Sequence, residues 1–229
     1  MLFPGVIMNI LAIIGSPHGM GGNTARLMEE VLAGAKSAGG EVEIVSLAEL
    51  QVKPCVGCDA CHKIGTCPIN DDFESLKKKL LACDAFVLAS PNYIFSVSAQ
   101  MKALFDRCCG IIHCQALEGK YGAVVETSGG GGDEEVLDYM ERFVGILGAT
   151  SVGGVGSPLA GPRRFPDEEA LFERARELGR ELYLSALEKR EFPEQEGARL
   201  AFRARMQGLV EYMKDFWPYE YEYWQRLGM

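Results

Sequence analysis

Short apolar runs alternate along this chain with segments whose apolar residues recur every three or four positions. Asn9 to Ile14, Val42 to Val45, Ala85 to Ala89, Tyr121 to Glu126 and Ser151 to Val155 are runs of four to six mostly β-branched or small apolar residues, the pattern of buried strands. Between them the period changes. Thr24 to Lys36 places Leu27, Val31 and Ala35 on one helical face with Met28 and Leu32 beside them, and Phe73, Leu76 and Leu80 repeat the spacing. Met101, Leu104, Phe105 and Cys108 form a third stripe, Val136, Tyr139, Met140 and Phe143 a fourth, and Leu171, Ala175, Leu178 and Leu182 a fifth within a helix from about Pro166 to Lys189. Five strand–helix units in succession predict an α/β domain with a parallel sheet covered on both faces. The same start would suit half of a dinucleotide-binding fold, but the pattern stops at five strands, which favours the order 2-1-3-4-5.

After Arg190 the segment EFPEQEG interrupts the pattern, and Leu200 to Lys214 resumes as a helix with Met206, Leu209, Val210 and Met213 on one face. The final DFWPYEYEYWQRLGM has no assignable period; its aromatics suit a packing arm, preferentially a subunit contact. The expected organisation is a domain over residues 8–188, with a cysteine-bearing loop at 54–67, and a helical and aromatic extension over 189–229.

Composition narrows the function. With 48% hydrophobic residues in 229 the chain can bury a core, and a net charge of -9 without a basic stripe speaks against nucleic acid and anionic membrane surfaces. No apolar run reaches the roughly 20 residues of a membrane span. The first apolar stretch has no positive flank, so a cytoplasmic protein is expected, with Met1 to Ile7 an unstructured leader or a misassigned start. Eight cysteines in such a chain point to metal, cluster or redox chemistry rather than disulfides.

The first strand runs into GSPHGMGGNT, residues 15–24, where glycines turn N–H groups inward and Ser16, Asn23 and Thr24 add donors at a positive helix end. This is an anion cup without the Gly-Lys-Ser/Thr of a Walker loop or the register of a dinucleotide fingerprint. In a 2-1-3-4-5 sheet the loops after strands one and three flank the ligand crevice. The second loop, SPNYIFSVSAQ, offers Tyr93 and Phe95 as surfaces for a flat ring, and the third, TSGGGGDEE, lets backbone approach a ligand edge through Gly129 to Gly132. A bland turn would explain either of the last two alone; their shared placement at one sheet edge is the functional signal.

Over residues 8–160 these motifs resemble the flavodoxin-like NAD(P)H-dependent FMN reductase superfamily. The resemblance implies a flavodoxin-like fold and an FMN phosphate held by Ser16, His18, Gly22, Asn23 and Thr24. It implies ring contacts from Pro91, Asn92, Tyr93, Ile94 and Phe95, and from Thr127, Ser128, Gly129, Gly130 and Gly131, with the family's Lys-x-x-x-Asp-Arg continuation at Lys102, Asp106 and Arg107. Two departures stand in the first loop: His18 replaces the usual arginine, and the loop is one residue longer.

Cys55-x-x-Cys58-x-x-Cys61-x5-Cys67 follows the second strand. Overlapping Cys-x-x-Cys steps suit four-thiolate ligation of a 4Fe-4S cluster better than the separated pairs of a zinc knuckle, although zinc, free thiols or a redox disulfide remain alternatives. The segment is similar to the compact cysteine motif of iron-sulfur flavoproteins, a branch of the same superfamily. Of the other thiols, Cys83 and Cys108 read as small core residues. Cys109, His113 and Cys114 are three potential ligands lacking a fourth, and His62 reads as a solvated neighbour of the cluster. The resulting expectation is an FMN-dependent oxidoreductase with no catalytic side chain of its own, fed by NAD(P)H or a ferredoxin, and forming a homodimer or homotetramer. Its rivals are a cluster-free NAD(P)H:quinone or flavin reductase and a non-catalytic flavodoxin-like carrier.

Overall fold

A computed structural model describes residues 8–228; Met1 to Ile7, expected to be a leader or a misassigned start, lie outside the described residues. Five strands, β1 (Asn9–Ile14), β2 (Glu41–Ser46), β3 (Ala85–Pro91), β4 (Tyr121–Ser128) and β5 (Thr150–Pro158), form one sheet in the order β2-β1-β3-β4-β5, every neighbouring pair parallel. Alternate residues of β1 feed opposite cores: Ile10, Ala12 and Ile14 face α1 (Asn23–Ala38) and α7 (Glu168–Glu188), while Leu11 and Ile13 face the helices on the other side. That second layer holds α3 (Phe73–Ala82), α4 (Ala99–Arg107) and α6 (Asp133–Ile146). Burial on both faces explains why β1, β3 and β4 read as unbroken apolar runs.

The α1–α7 contact is unusually close. A Cβ on Gly34 would lie 1.9 Å from the Arg176 carbonyl oxygen, and one on Gly179 would lie 1.8 Å from that of Val31. Two glycines therefore let backbone touch backbone.

Some boundaries differ from the sequence pattern. β2 is an edge strand with much of its surface exposed, Ile44 at 38%, because β1 is its one strand partner in the sheet. The opposite edge, β5, runs on to Pro158 and is covered at Ser151 by Gln195, whose side-chain amide both donates to its carbonyl (2.7 Å) and accepts from its N–H (3.1 Å). The interruption is shorter than EFPEQEG: Glu191 and Phe192 lie between helices, and Pro193 already occupies the first turn of α8 (Pro193–Tyr212), where its missing N–H costs nothing. The aromatic tail also folds, as α9 (Pro218–Arg226), again opened by a proline. Trp224 and Glu220 of α9 are fully buried against the same chain, so this part of the tail packs at home rather than on a partner. Two short helices escape the periodicity altogether, α2 (Ala60–Ile64) inside the cysteine segment and α5 (Cys109–Cys114) after α4.

Candidate functional site

Register brings the carboxyl ends of three central strands together: Ile14 pairs with Ala89, and Pro91 with Thr127. The loops that leave them are laced into one surface. Ser98, which caps α4, donates its hydroxyl to the Gly15 carbonyl at 2.5 Å, and a Cβ at Gly15 would meet Met101 at 2.8 Å, so only glycine permits this approach. Thr24 and Thr127 share a buried hydroxyl–hydroxyl bond of 2.6 Å between the first and third loops. The Asn92 amide donates to the carbonyls of Gly131 and Gly132, both at 3.2 Å, joining the second loop to the third.

In the first loop α1 begins at Asn23, preceded by a single tight turn over Gly19–Gly21. No side chain caps α1, its first turn carries no acid, and Asn23 Oδ1 is buried without a partner. Ser16 is buried and its hydroxyl oxygen accepts from His18 N at 3.2 Å, while the His18 side chain is exposed. In the second loop Tyr93 and Ser96 exchange backbone bonds around Ile94 and Phe95, both with left-handed φ of 52° and 58°. That conformation costs non-glycine residues on the order of 1 kcal/mol or more each, and here it holds Ile94 92% and Phe95 74% exposed. In the third loop Ser128 donates to Asp133 at 2.7 Å, and the positions of Gly129, Gly130 and Gly131 have nothing within 4 Å of where a side chain would begin. Lys102 and Asp106 pair with each other on the α4 surface, away from these contacts.

The cysteine segment leaves the carboxyl end of β2, on the same edge of the sheet. Its anchor is Asp71, whose carboxylate accepts from Arg107 through both oxygens (2.7 and 3.1 Å), from Lys53 N (2.9 Å) and from Phe73 N (3.1 Å). The two charged side chains are at most 1% exposed, Arg107 also donates to the Lys53 carbonyl, and its guanidinium lies 4.5 Å from the Phe73 ring centre. Burial would raise the Asp71 pKa, but Arg107 and the two N–H donors outweigh it and hold the carboxyl below its ordinary value. Above this clamp Cys55 and Cys58 are exposed, Cys61 and Cys67 half-buried. Gly57 N donates to Cys55 Sγ at 3.4 Å, and Cys67 N donates to Glu74 at 2.8 Å.

A family model described as NADPH-dependent FMN reductase matches residues 8–160. The chain belongs to the NADPH-dependent FMN reductase family. Like its family, it is an FMN-dependent oxidoreductase. An iron-sulfur flavoprotein of Archaeoglobus fulgidus is 32% identical over 223 residues, covering 96% of this chain and 99% of the relative. One from Methanocaldococcus jannaschii is 34% identical over 188 residues, 76% of this chain and 95% of its own. Among solved structures, RosB with a bound 8-demethyl-8-formylriboflavin-5'-phosphate intermediate superposes with a TM-score of 0.64 at 15% identity, covering 86% of this chain and 87% of that one; this likeness speaks to the fold.

The residues of this FMN reductase family member fit the cofactor of its family. An uncapped helix start with an orphaned amide beside it suits a phosphate, and the space over Gly129 to Gly131 suits the edge of a ring. The four thiols of the loop do not gather within single-ion distance. Among the described residues the group that does is His62, Cys109 and His113. Four thiols within one segment are a donor set that a 4Fe-4S cluster takes, one sulfur to each iron.

His62 corrects the sequence reading. It is 4% exposed, not solvated: its ring stacks on His113 (centroids 4.5 Å, 17° apart), and Glu220 of α9 bonds both rings. Burial disfavours charge on each imidazole, yet Cys109 and Glu220 raise both histidine pKa values, while the two imidazoles hold the Cys109 thiol low against its own burial. Cys114 is not in this group; burial pushes its thiol up to about 12, as it does for the core thiol of Cys108. The Cys109 and His113 spacing of four residues was the available signal, but their partners arrive from distant segments.

No helix of the described residues is long and apolar enough to cross a membrane.

Proposed function

We propose that residues 8–188 hold FMN across the three loops and that Cys55, Cys58, Cys61 and Cys67 hold a 4Fe-4S cluster, the enzyme linking NAD(P)H or a reduced ferredoxin to a quinone or protein acceptor. The observation that carries this reading is the lacing of the three loops at the sheet reversal, with the cysteine segment rising from the same edge. The names of the iron-sulfur flavoprotein relatives support the cluster.

Each residue has a defined task. Ser16, His18, Asn23, Thr24 and the Gly22 backbone donate to the phosphate at the start of α1. Pro91, Asn92, Tyr93, Ile94 and Phe95 supply ring surface and exclude water, and the backbone from Thr127 through Ser128, Gly129, Gly130 and Gly131 lies along the polar edge. Held there, FMN would supply two-electron and one-electron exchange and a cluster one-electron exchange, so that a two-electron input could leave as two single electrons. No side chain serves as a covalent catalyst. The extension 189–229 covers the cysteine segment through α9, and the exposed Tyr212 and Phe216 support a homo-oligomer, dimer or tetramer.

Anaerobically purified protein is expected to show flavin and cluster absorption together, with about four irons and four sulfides per flavin. Cys58→Ser is expected to lose iron and keep flavin. Flavin without iron in wild-type protein purified this way would reduce the reading to a cluster-free reductase, and failure of NADH and NADPH to bleach the flavin where reduced ferredoxin succeeds would reassign the donor.

A further inference from the structure

Beyond the flavin loops and the four cysteines, one set of ligating side chains converges from two separate elements. His62 comes from α2, Cys109 and His113 from one face of α5 four residues apart, and one ligand atom of each lies within 4.8 Å of the other two. We propose that His62, Cys109 and His113 form a second metal site, for a single zinc ion, with Glu220 orienting both histidines.

Glu220 is fully buried and divides its two oxygens between the rings: Oε1 meets His62 Nδ1 at 2.5 Å, and Oε2 meets His113 Nδ1 at 3.0 Å. Occupying both Nδ1 atoms leaves each Nε2 as the nitrogen free for a ligand, which is how a carboxylate fixes tautomer and ring orientation behind a metal-bound histidine. The near-parallel stacking of the rings follows from sharing one carboxylate. Cys109 Sγ stands 3.7 Å from His113 Nε2. Tetrahedral zinc with ordinary Zn–S and Zn–N bonds sets sulfur and nitrogen about 3.6 Å apart. Charge closes as well: a dication against the Cys109 thiolate and the Glu220 carboxylate is neutral, the arrangement that a covered pocket favours. Trp217 lies over the pair, its ring 4.6 Å from His62 and 5.1 Å from His113, and Trp224 Nε1 ties α9 to the His113 carbonyl at 3.1 Å. Imidazole and thiolate together select a borderline-soft ion, and three protein ligands leave the fourth corner to water. In this arrangement zinc pins α2, α5 and α9 together beside the cysteine segment.

The test uses full-length protein expressed with zinc supplementation and purified anaerobically, with zinc, iron and flavin counted and the zinc environment read by X-ray absorption. One zinc per chain is expected, in a shell of one sulfur and two histidine nitrogens. Cys109→Ser is expected to lose zinc while keeping iron and flavin, and Cys58→Ser to keep zinc while losing iron. Glu220→Gln, which preserves shape, is expected to weaken zinc in a chelator competition by about 10- to 100-fold. A four-sulfur shell, zinc that follows Cys58 rather than Cys109, or wild-type protein that retains no zinc after the supplemented preparation would each overturn the site.

Discussion

Replacing Asp71 by alanine removes the anchor of the cysteine segment and strands Arg107 with its guanidinium buried. Four hydrogen bonds end on that carboxylate, two from Arg107 and one each from the N–H of Lys53 and Phe73. Breaking a buried ion pair from one side costs about 3–5 kcal/mol because the remaining charge is uncompensated. The Lys53 N–H is exposed and the Phe73 N–H part-buried, so losing their acceptor adds little to this and about 4 kcal/mol is the expected total. For a chain of this size each kcal/mol lowers the melting temperature by about 2–4 °C, giving a loss of about 8–16 °C. Thermal denaturation of the anaerobic protein measures it, with the iron-to-flavin ratio followed in parallel; iron is expected to be released below the temperature at which flavin leaves. The double variant Asp71→Ala with Arg107→Met removes the stranded charge and is expected to recover much of the loss. A single-variant cost below about 1 kcal/mol, or a double variant no better than the single, would refute the clamp.

Three further outcomes follow from other contacts. Glu126 is fully buried with neither oxygen partnered, and burial, aided by nearby Asp133, pushes its pKa up to about 9. Its folded-state pKa therefore lies above the unfolded value near 4.3, so stability is lost as pH rises between the two; Glu126→Gln is expected to stabilise by about 2–3 kcal/mol at pH 7 and by nothing below about pH 4, as read by urea unfolding across pH. Gly179→Ala places a methyl 1.8 Å from the Val31 carbonyl oxygen, and chemical denaturation is expected to show a loss of about 2–3 kcal/mol or more as α1 and α7 separate. Thr24→Val breaks the buried hydroxyl bond to Thr127, and fluorescence titration is expected to show FMN affinity reduced by about tenfold.

The sheet was legible because β1, β3 and β4 are buried on both faces and their composition has no competing explanation, and the three loops followed from where such strands end. The edge strands read less well: β2 has apolar residues at Val42, Ile44 and Val45 yet exposes much of its length, since edge position is a property of the assembled sheet. Pro193 looked like part of a break and is a helix start, because proline has the same local signature in both settings, and Pro218 opens a helix in a tail too short to show a period. His62 was misjudged for a different reason. Nothing near it in sequence announces Glu220, which lies 158 residues away, or the stacking on His113. Short helices such as α2 and α5 carry too few turns for a periodic stripe.

The central claim is that the uncapped start of α1 and the laced loops recognise a phosphorylated flavin. Titration of flavin-free protein with FMN and, separately, with riboflavin tests it most directly. One FMN per chain with riboflavin bound at least about a hundredfold more weakly is the predicted result, since the missing phosphate leaves the helix-start donors unanswered. Equal affinity for the two, or no uptake of either, would contradict the account.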